Sequence, residues 1–224
     1  HFGIGSDGLI LICPSETADF RMRMFNADGS ESQMCGNGIR CVGKYVYDHG
    51  MAGKTEFDVE TGAGIKHLKI TEEDGKAVMI TVDMGVPELA PAKVPFVSDS
   101  DAVVQPLQVG DATVAITAVS MGNPHTVQVV ADVDTAPVAE LGALIERHER
   151  FPARVNAGFL EVVDPGHARL RVFERGAGET LACGTGACAA VVAGIGRGLL
   201  VSPVKVETRG GELEIAWAGP GSPV

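Results

Sequence analysis

The stretch QMCGNGIRC, residues 33–41, and the stretch LACGTGAC, residues 181–188, each set a cysteine ahead of a Gly-polar-Gly turn. Sliding the chain along itself by 148 residues aligns much more than these turns, and a repeat of this kind has to be found before any element is assigned. Arg21-Met-Arg-Met-Phe25 falls on Arg169-Leu-Arg-Val-Phe173, Glu31 on Glu179, Cys35-Gly36 on Cys183-Gly184, Gly38 on Gly186 and Gly50 on Gly198. With one residue of slip, Val59-Glu-Thr61 falls on Val206-Glu-Thr208. The chain therefore reads as two homologous lobes.

Each copy predicts the structure of the other. FRMRMF (20–25) and ARLRVF (168–173) alternate apolar with polar or basic residues, the period of a half-buried strand. A polar loop follows, and then helices expected over 38–49 and 186–197, each stopped by a glycine suited to a left-handed C-terminal cap, Gly50 or Gly198. The second helix is apolar almost all round, which marks a buried central element. Strand-like runs at 67–71, 78–84 and 211–217 surround these helices, and PVAELGALIERH (137–148) predicts one further helix. GIGSDGLILI, from Gly3, is the first-lobe counterpart of RVNAGFLEV (154–162). The expected fold is α+β, with each lobe a mostly antiparallel sheet wrapped around a central helix. The Pro-rich stretch 84–96 forms the crossing, so the lobes are expected at 1–84, N-terminally incomplete, and 85–224.

Composition narrows the function. Lys and Arg number 18 against 29 Asp and Glu, a formal charge of −11, whereas nucleic acid and anionic membranes are drawn to basic patches. A small-molecule partner is expected, with no nucleic acid and no membrane. The sequence shows neither a signal peptide nor an apolar run long enough to span a bilayer, which predicts a cytoplasmic protein. The cysteines are Cys13, Cys35, Cys41, Cys183 and Cys188, an odd number without a CxxC pair, so neither a disulfide framework nor a metal site is expected. Cys13, Cys41 and Cys188 read as small buried hydrophobes.

Cys35 and Cys183 read differently, because each stands where a glycine turn feeds a helix. The positive helix end favours thiolate, and Gly36-Asn37-Gly38 and Gly184-Thr185-Gly186 can offer backbone N–H groups to a carboxylate and to the enolate-like charge beside it. One thiolate could take an α-proton from one face of a carbon while the opposite thiol returns a proton to the other. A one-base enzyme needs one such turn, and inversion without moving the substrate needs two.

At FNADGSESQMCGNGIRC (25–41), SMGNPH (120–125), RVNAGF (154–159) and ERGAGETLACGTGACAA (174–190) the chain resembles the diaminopimelate epimerase family over essentially its whole length. The resemblance implies a cofactor-independent isomerase that interconverts LL- and meso-diaminopimelate, for lysine and cell-wall precursors, on a fold of two pseudo-symmetric lobes. It implies that Cys35 and Cys183 are the catalytic acid and base. Asn26, Gly36, Asn37, Asn123, Asn156, Glu174, Arg175, Gly184 and Thr185 match substrate-binding positions, and His125 and Glu174 match positions that adjust the cysteine pKa values. The family also carries a strand with a substrate-contacting Asn ahead of the position of His1, and a final segment, beyond the position of Val224, that helps form a homodimer. A terminally shortened, inactive form is one alternative expectation. A proline or hydroxyproline racemase is another, although those enzymes typically carry His where Asn37 stands.

Overall fold

The computed structural model of the chain describes residues 8–26 and 29–224. Gly3, where the expected first-lobe counterpart begins, and Ala27 and Asp28 of the FNADG motif lie outside the described residues. The chain divides into two compact units, His1–Met84 and Gly85–Val224.

In the first unit, strands β1 (Gly8–Cys13), β2 (Phe20–Asn26) and β3 (Glu31–Ser32) precede helix α1 (Gly36–Asp48), and β4 (Glu56–Thr61), β5 (Gly64–Glu73) and β6 (Lys76–Val82) follow it. The sheet runs β1-β2-β4-β5-β6, with β3 beside β2. All its pairs are antiparallel except β2 with β4. Ile39, Val42 and Val46 recur at helical spacing along α1 and are buried against Met22, Phe57, Val59, Leu68 and Ile70. The same period leaves Cys41 on the opposite, exposed face, so the expectation of a buried Cys41 is corrected. Cys188 is buried and Cys13 partly buried.

The second unit contains β7 (Gln105–Val109), β8 (Ala112–Ser120), β9 (Pro124–Val129), α2 (Val138–Glu146), β10 (Asn156–Asp164), β11 (His167–Glu174), β12 (Gly178–Thr180), α3 (Gly184–Gly196), β13 (Val204–Thr208) and β14 (Gly211–Ile215). Its sheet runs β14-β13-β11-β10-β9-β8-β7, with β12 beside β11. Helix α3 is buried from Gly184 through Gly194. The continuous burial of Ala157 to Leu160 shows that β10 is covered on both faces. Ala157 and Phe159 join the cluster formed with Val138 and Ile145 of α2, while the alternate residues Gly158 and Leu160 face the other way.

The duplication extends to register and side chains. Leu9 pairs with Phe25 as Ala157 pairs with Phe173, and Phe20 lies beside Val59 as Ala168 lies beside Val206. Arg23 grips Glu31 through both carboxylate oxygens at 2.8 and 2.9 Å, and Arg171 grips Glu179 in the same way at 2.7 and 2.8 Å. Both central helices begin two residues earlier than their sequence pattern suggested. Cys35 and Cys183 are themselves the N-cap residues, in extended conformation at φ −136° and −128°, so the Gly-polar-Gly turn is already the first helical turn. The C-terminal glycines Gly50 and Gly198 adopt φ of +68° and +70°, in the left-handed region.

Candidate active site

In the first unit, Cys35 Sγ accepts the Gly38 N–H at 3.2 Å. A Cβ on Gly38 would crowd the site, coming within 2.7 Å of the tip of the Ile10 side chain and 3.3 Å of the Cys35 sulfur. Asn37 Oδ1 accepts a hydrogen bond from Arg40 at 2.9 Å. Asn26, at the exposed end of β2, bonds within its own turn, its side-chain amide donating to the Ser30 hydroxyl at 3.0 Å. Cys35, Gly36 and Asn37 are thus gathered at one helix start, with Asn26 held in a neighbouring turn.

The second unit brings its expected residues into one connected network. Asn156 and His125 are cross-strand neighbours on the parallel pair β10 and β9. Asn156 Nδ2 donates to the Pro124 carbonyl at 3.0 Å and its Oδ1 accepts the Arg175 N–H at 2.9 Å. The Arg175 guanidinium donates to the Ala153 carbonyl at 2.9 Å. His125 Nε2 lies 3.0 Å from Asn123 Oδ1 and 3.1 Å from Thr185 Oγ1, and Asn123 Nδ2 donates to Thr185 Oγ1 at 3.3 Å. Thr185 Oγ1 in turn lies 3.6 Å from Cys183 Sγ.

Donor counting gives this chain of contacts a direction. Asn123 Oδ1 can only accept, so the His125 Nε2 beside it carries a proton. Thr185 Oγ1 receives the Asn123 amide and lies within donating reach of the Cys183 sulfur. Burial, with the nearby positive charge of Arg175, brings the His125 pKa from 6.5 down to about 3, so the imidazole is neutral near pH 7.

The expectation that a helix start would lower both thiol pKa values is corrected at Cys183. Burial pushes that thiol up, and the Glu174 carboxylate, which takes up its S–H, pushes it further. The Thr185 hydroxyl and the Gly186 amide oppose the push without overcoming it. Desolvation outweighs the helix end because Cys183 is 6% exposed. His125 is a buried member of β9. Thr180, whose hydroxyl donates to Glu174 Oε1, was not singled out from the sequence, although Ser32 at the matching place in the first copy offered a signal. Among the described residues no cluster of His, Cys, Asp and Glu is arranged to hold a metal, and no helix is long and apolar enough to cross a membrane.

This two-unit α+β fold, with a sheet and a central helix in each copy, is shared with solved structures of several different proteins. A hydroxyproline epimerase from Agrobacterium vitis superposes with a TM-score of 0.69 at 18% identity, covering 95% of this chain and 67% of that one. A methylitaconate-delta-isomerase does so with a TM-score of 0.60 at 18% identity, covering 94% and 74%. Sequence narrows the fold to one family. The family model described as diaminopimelate epimerase matches residues 1–90 and 117–224. The diaminopimelate epimerase of Azoarcus sp. (strain BH72) is 70% identical over all of this chain and 80% of its own length, and that of Acetivibrio thermocellus is 54% identical over 97% and 78%. The chain belongs to the diaminopimelate epimerase family.

Proposed function

We propose that the protein interconverts LL- and meso-diaminopimelate by proton transfer at the α-carbon between two cysteine side chains, without a cofactor, in lysine and cell-wall precursor biosynthesis. The observation that carries this reading is the repetition of the same cysteine N-cap at both central helices, in a chain of this family. In this reading Cys183 waits as the acid, because burial and Glu174 keep its thiol protonated. As its proton leaves, the Thr185 hydroxyl steadies the forming thiolate. The opposite proton transfer belongs to Cys35. Backbone amides at a helix start can seat the carboxylate beside the reacting carbon, where developing negative charge needs donors fixed in advance. Asn26, Asn123, Asn156 and Arg175 read the remaining amino and carboxylate groups, Arg175 by the paired donors of its guanidinium.

The test is to incubate the reduced protein with LL-diaminopimelate in heavy water, following α-deuterium by NMR and the meso product by chiral chromatography. Deuterated meso product is expected from the parent. Its loss is expected in Cys35→Ser and in Cys183→Ser, each by about a thousandfold or more, since general acid–base groups contribute on that order. A variant that keeps full turnover removes its cysteine from the mechanism.

A further inference from the structure

Glu146, the last residue of α2, carries a carboxylate only 3% exposed that no step above uses. Its Oε2 takes the Arg147 Nε–H at 3.0 Å, and its Oε1 takes both Arg154 Nη1 at 3.4 Å and the backbone N–H of Gly176 at 3.2 Å. The two arginines are mostly solvent-exposed, so the inward-facing partner is the Gly176 amide. The Glu146 carbonyl also accepts the Val155 N–H at 3.2 Å, immediately before Asn156. Between these contacts Arg154 holds φ of +57°, a conformation costly for a side chain other than glycine and kept only where surrounding bonds enforce it.

Gly176 belongs to the turn between β11 and β12, directly after Glu174 and Arg175, and adopts φ of +77°. Two bonds from outside hold the backbone of that turn, Asn156 Oδ1 on the Arg175 N–H and Glu146 Oε1 on the Gly176 N–H. One internal bond, Ala177 N–H to the Glu174 carbonyl at 3.2 Å, closes it. The helix that delivers Glu146 is pressed tightly onto β11, for a Cβ on Gly142 would stand 2.5 Å from Phe173.

We propose that Glu146 is a positioning residue, whose buried carboxylate fixes the Arg175-Gly176 turn in the orientation that presents Arg175 to a substrate carboxylate. This rests on the reading of Arg175 as a substrate contact. Helix α2 then serves as a buttress for recognition as well as a cover for the sheet. Because Arg175 would act in binding, losing the hold raises KM far more than it lowers kcat.

The test compares Glu146→Leu, Glu146→Asp and Glu146→Gln with the parent, on diaminopimelate kinetics and on hydrogen–deuterium exchange of the peptide spanning 174–178 in the free protein. Leu removes the acceptor and Asp is too short to reach Gly176, so KM is expected to rise about tenfold or more with kcat within about threefold. Gln keeps an oxygen for the Gly176 N–H and is expected to restore KM to within about threefold of the parent. In an Arg175→Ala background the Glu146→Asp penalty on KM is expected to vanish, since one residue acts through the other. Exchange at 174–178 is expected to quicken in Leu and Asp but not in Gln. Unchanged KM and exchange in Glu146→Asp overturn the proposal, as does an equal penalty without Arg175. If Glu146→Leu does not fold, Glu146→Asp decides. A parent inactive on diaminopimelate defeats the functional reading instead, and the exchange experiment still judges the hold.

Discussion

His125 shows how far a single residue's surroundings set its chemistry. An imidazole enclosed in β9 gives up solvation it would need to become charged, and Arg175 adds repulsion, so its pKa sits near 3 in the folded protein against 6.5 outside it. The unfolded chain therefore binds this proton more readily. The stabilisation is fully present above pH 6.5 and is lost as pH falls towards 3, by about 1.4 kcal/mol per unit, or roughly 2 kcal/mol by pH 5. Urea unfolding followed by Trp217, the single tryptophan and a buried one, reports on this unit. The parent is expected to lose midpoint steeply between pH 6.5 and 5, and His125→Gln to lose less over the same interval. Parallel curves would mean that the histidine is as easily protonated in the fold as outside it. The type and place of this residue were readable from SMGNPH, but its burial was not, because β9 is enclosed between its hairpin neighbour β8 and β10, which lies about 30 residues further along the chain.

Among the elements, helices were the most legible. The extent and closing glycine of each central helix, and the almost all-round apolar character of α3, gave their presence and ends, while their starts were missed because a cysteine is an unfamiliar cap and glycines read as loop. Helix α2 was legible as a helix, but its seat was not: nothing local says that Gly142 meets the Phe173 ring. That contact makes the prediction for this scale. Gly142→Ala improves helix propensity by about 1 kcal/mol, yet its Cβ would lie 2.5 Å from Phe173 Cβ and 2.7 Å from the ring, which a strand side chain packed beneath a helix cannot relieve by rotating. The overpacking is expected to win, with a net loss of about 1–2 kcal/mol, measured as a lower denaturation midpoint. A rise in midpoint would show that α2 can shift on β11.

At the scale of the whole molecule, the duplication made much of the fold readable, since the strand at 20–25, the central helix after Cys35 and the strand at 59–61 could each be checked against a counterpart in the second copy. It also located the two cysteine turns, whereas Asn123, His125, Asn156, Glu174 and Arg175 were assigned from the family resemblance. It could not reveal Glu146, which lies outside the repeated stretch and reaches Gly176 across 30 residues of chain. The two copies are also an internal control on how environment changes one interaction. Arg23–Glu31 and Arg171–Glu179 are equivalent two-pronged ion pairs, but the first has side chains 39% and 43% exposed and the second 10% and 17%. Arg171 further donates to the Val133 and Ala136 carbonyls, and Glu179 also receives Arg209 at 2.8 Å. Removing Arg23 returns its partner to water, whereas removing Arg171 leaves the partly buried Glu179 carboxylate with Arg209 as its remaining ion-pair partner and takes the guanidinium donor from the Val133 carbonyl. Arg23→Met is therefore expected to leave stability nearly unchanged. Arg171→Met should cost about 2–3 kcal/mol, because half-satisfied buried groups cost more than intact pairs gain. Denaturation midpoints of the two variants at one pH decide the matter. Equal losses would mean that the ion pair itself, common to both copies, outweighs the difference in burial between them.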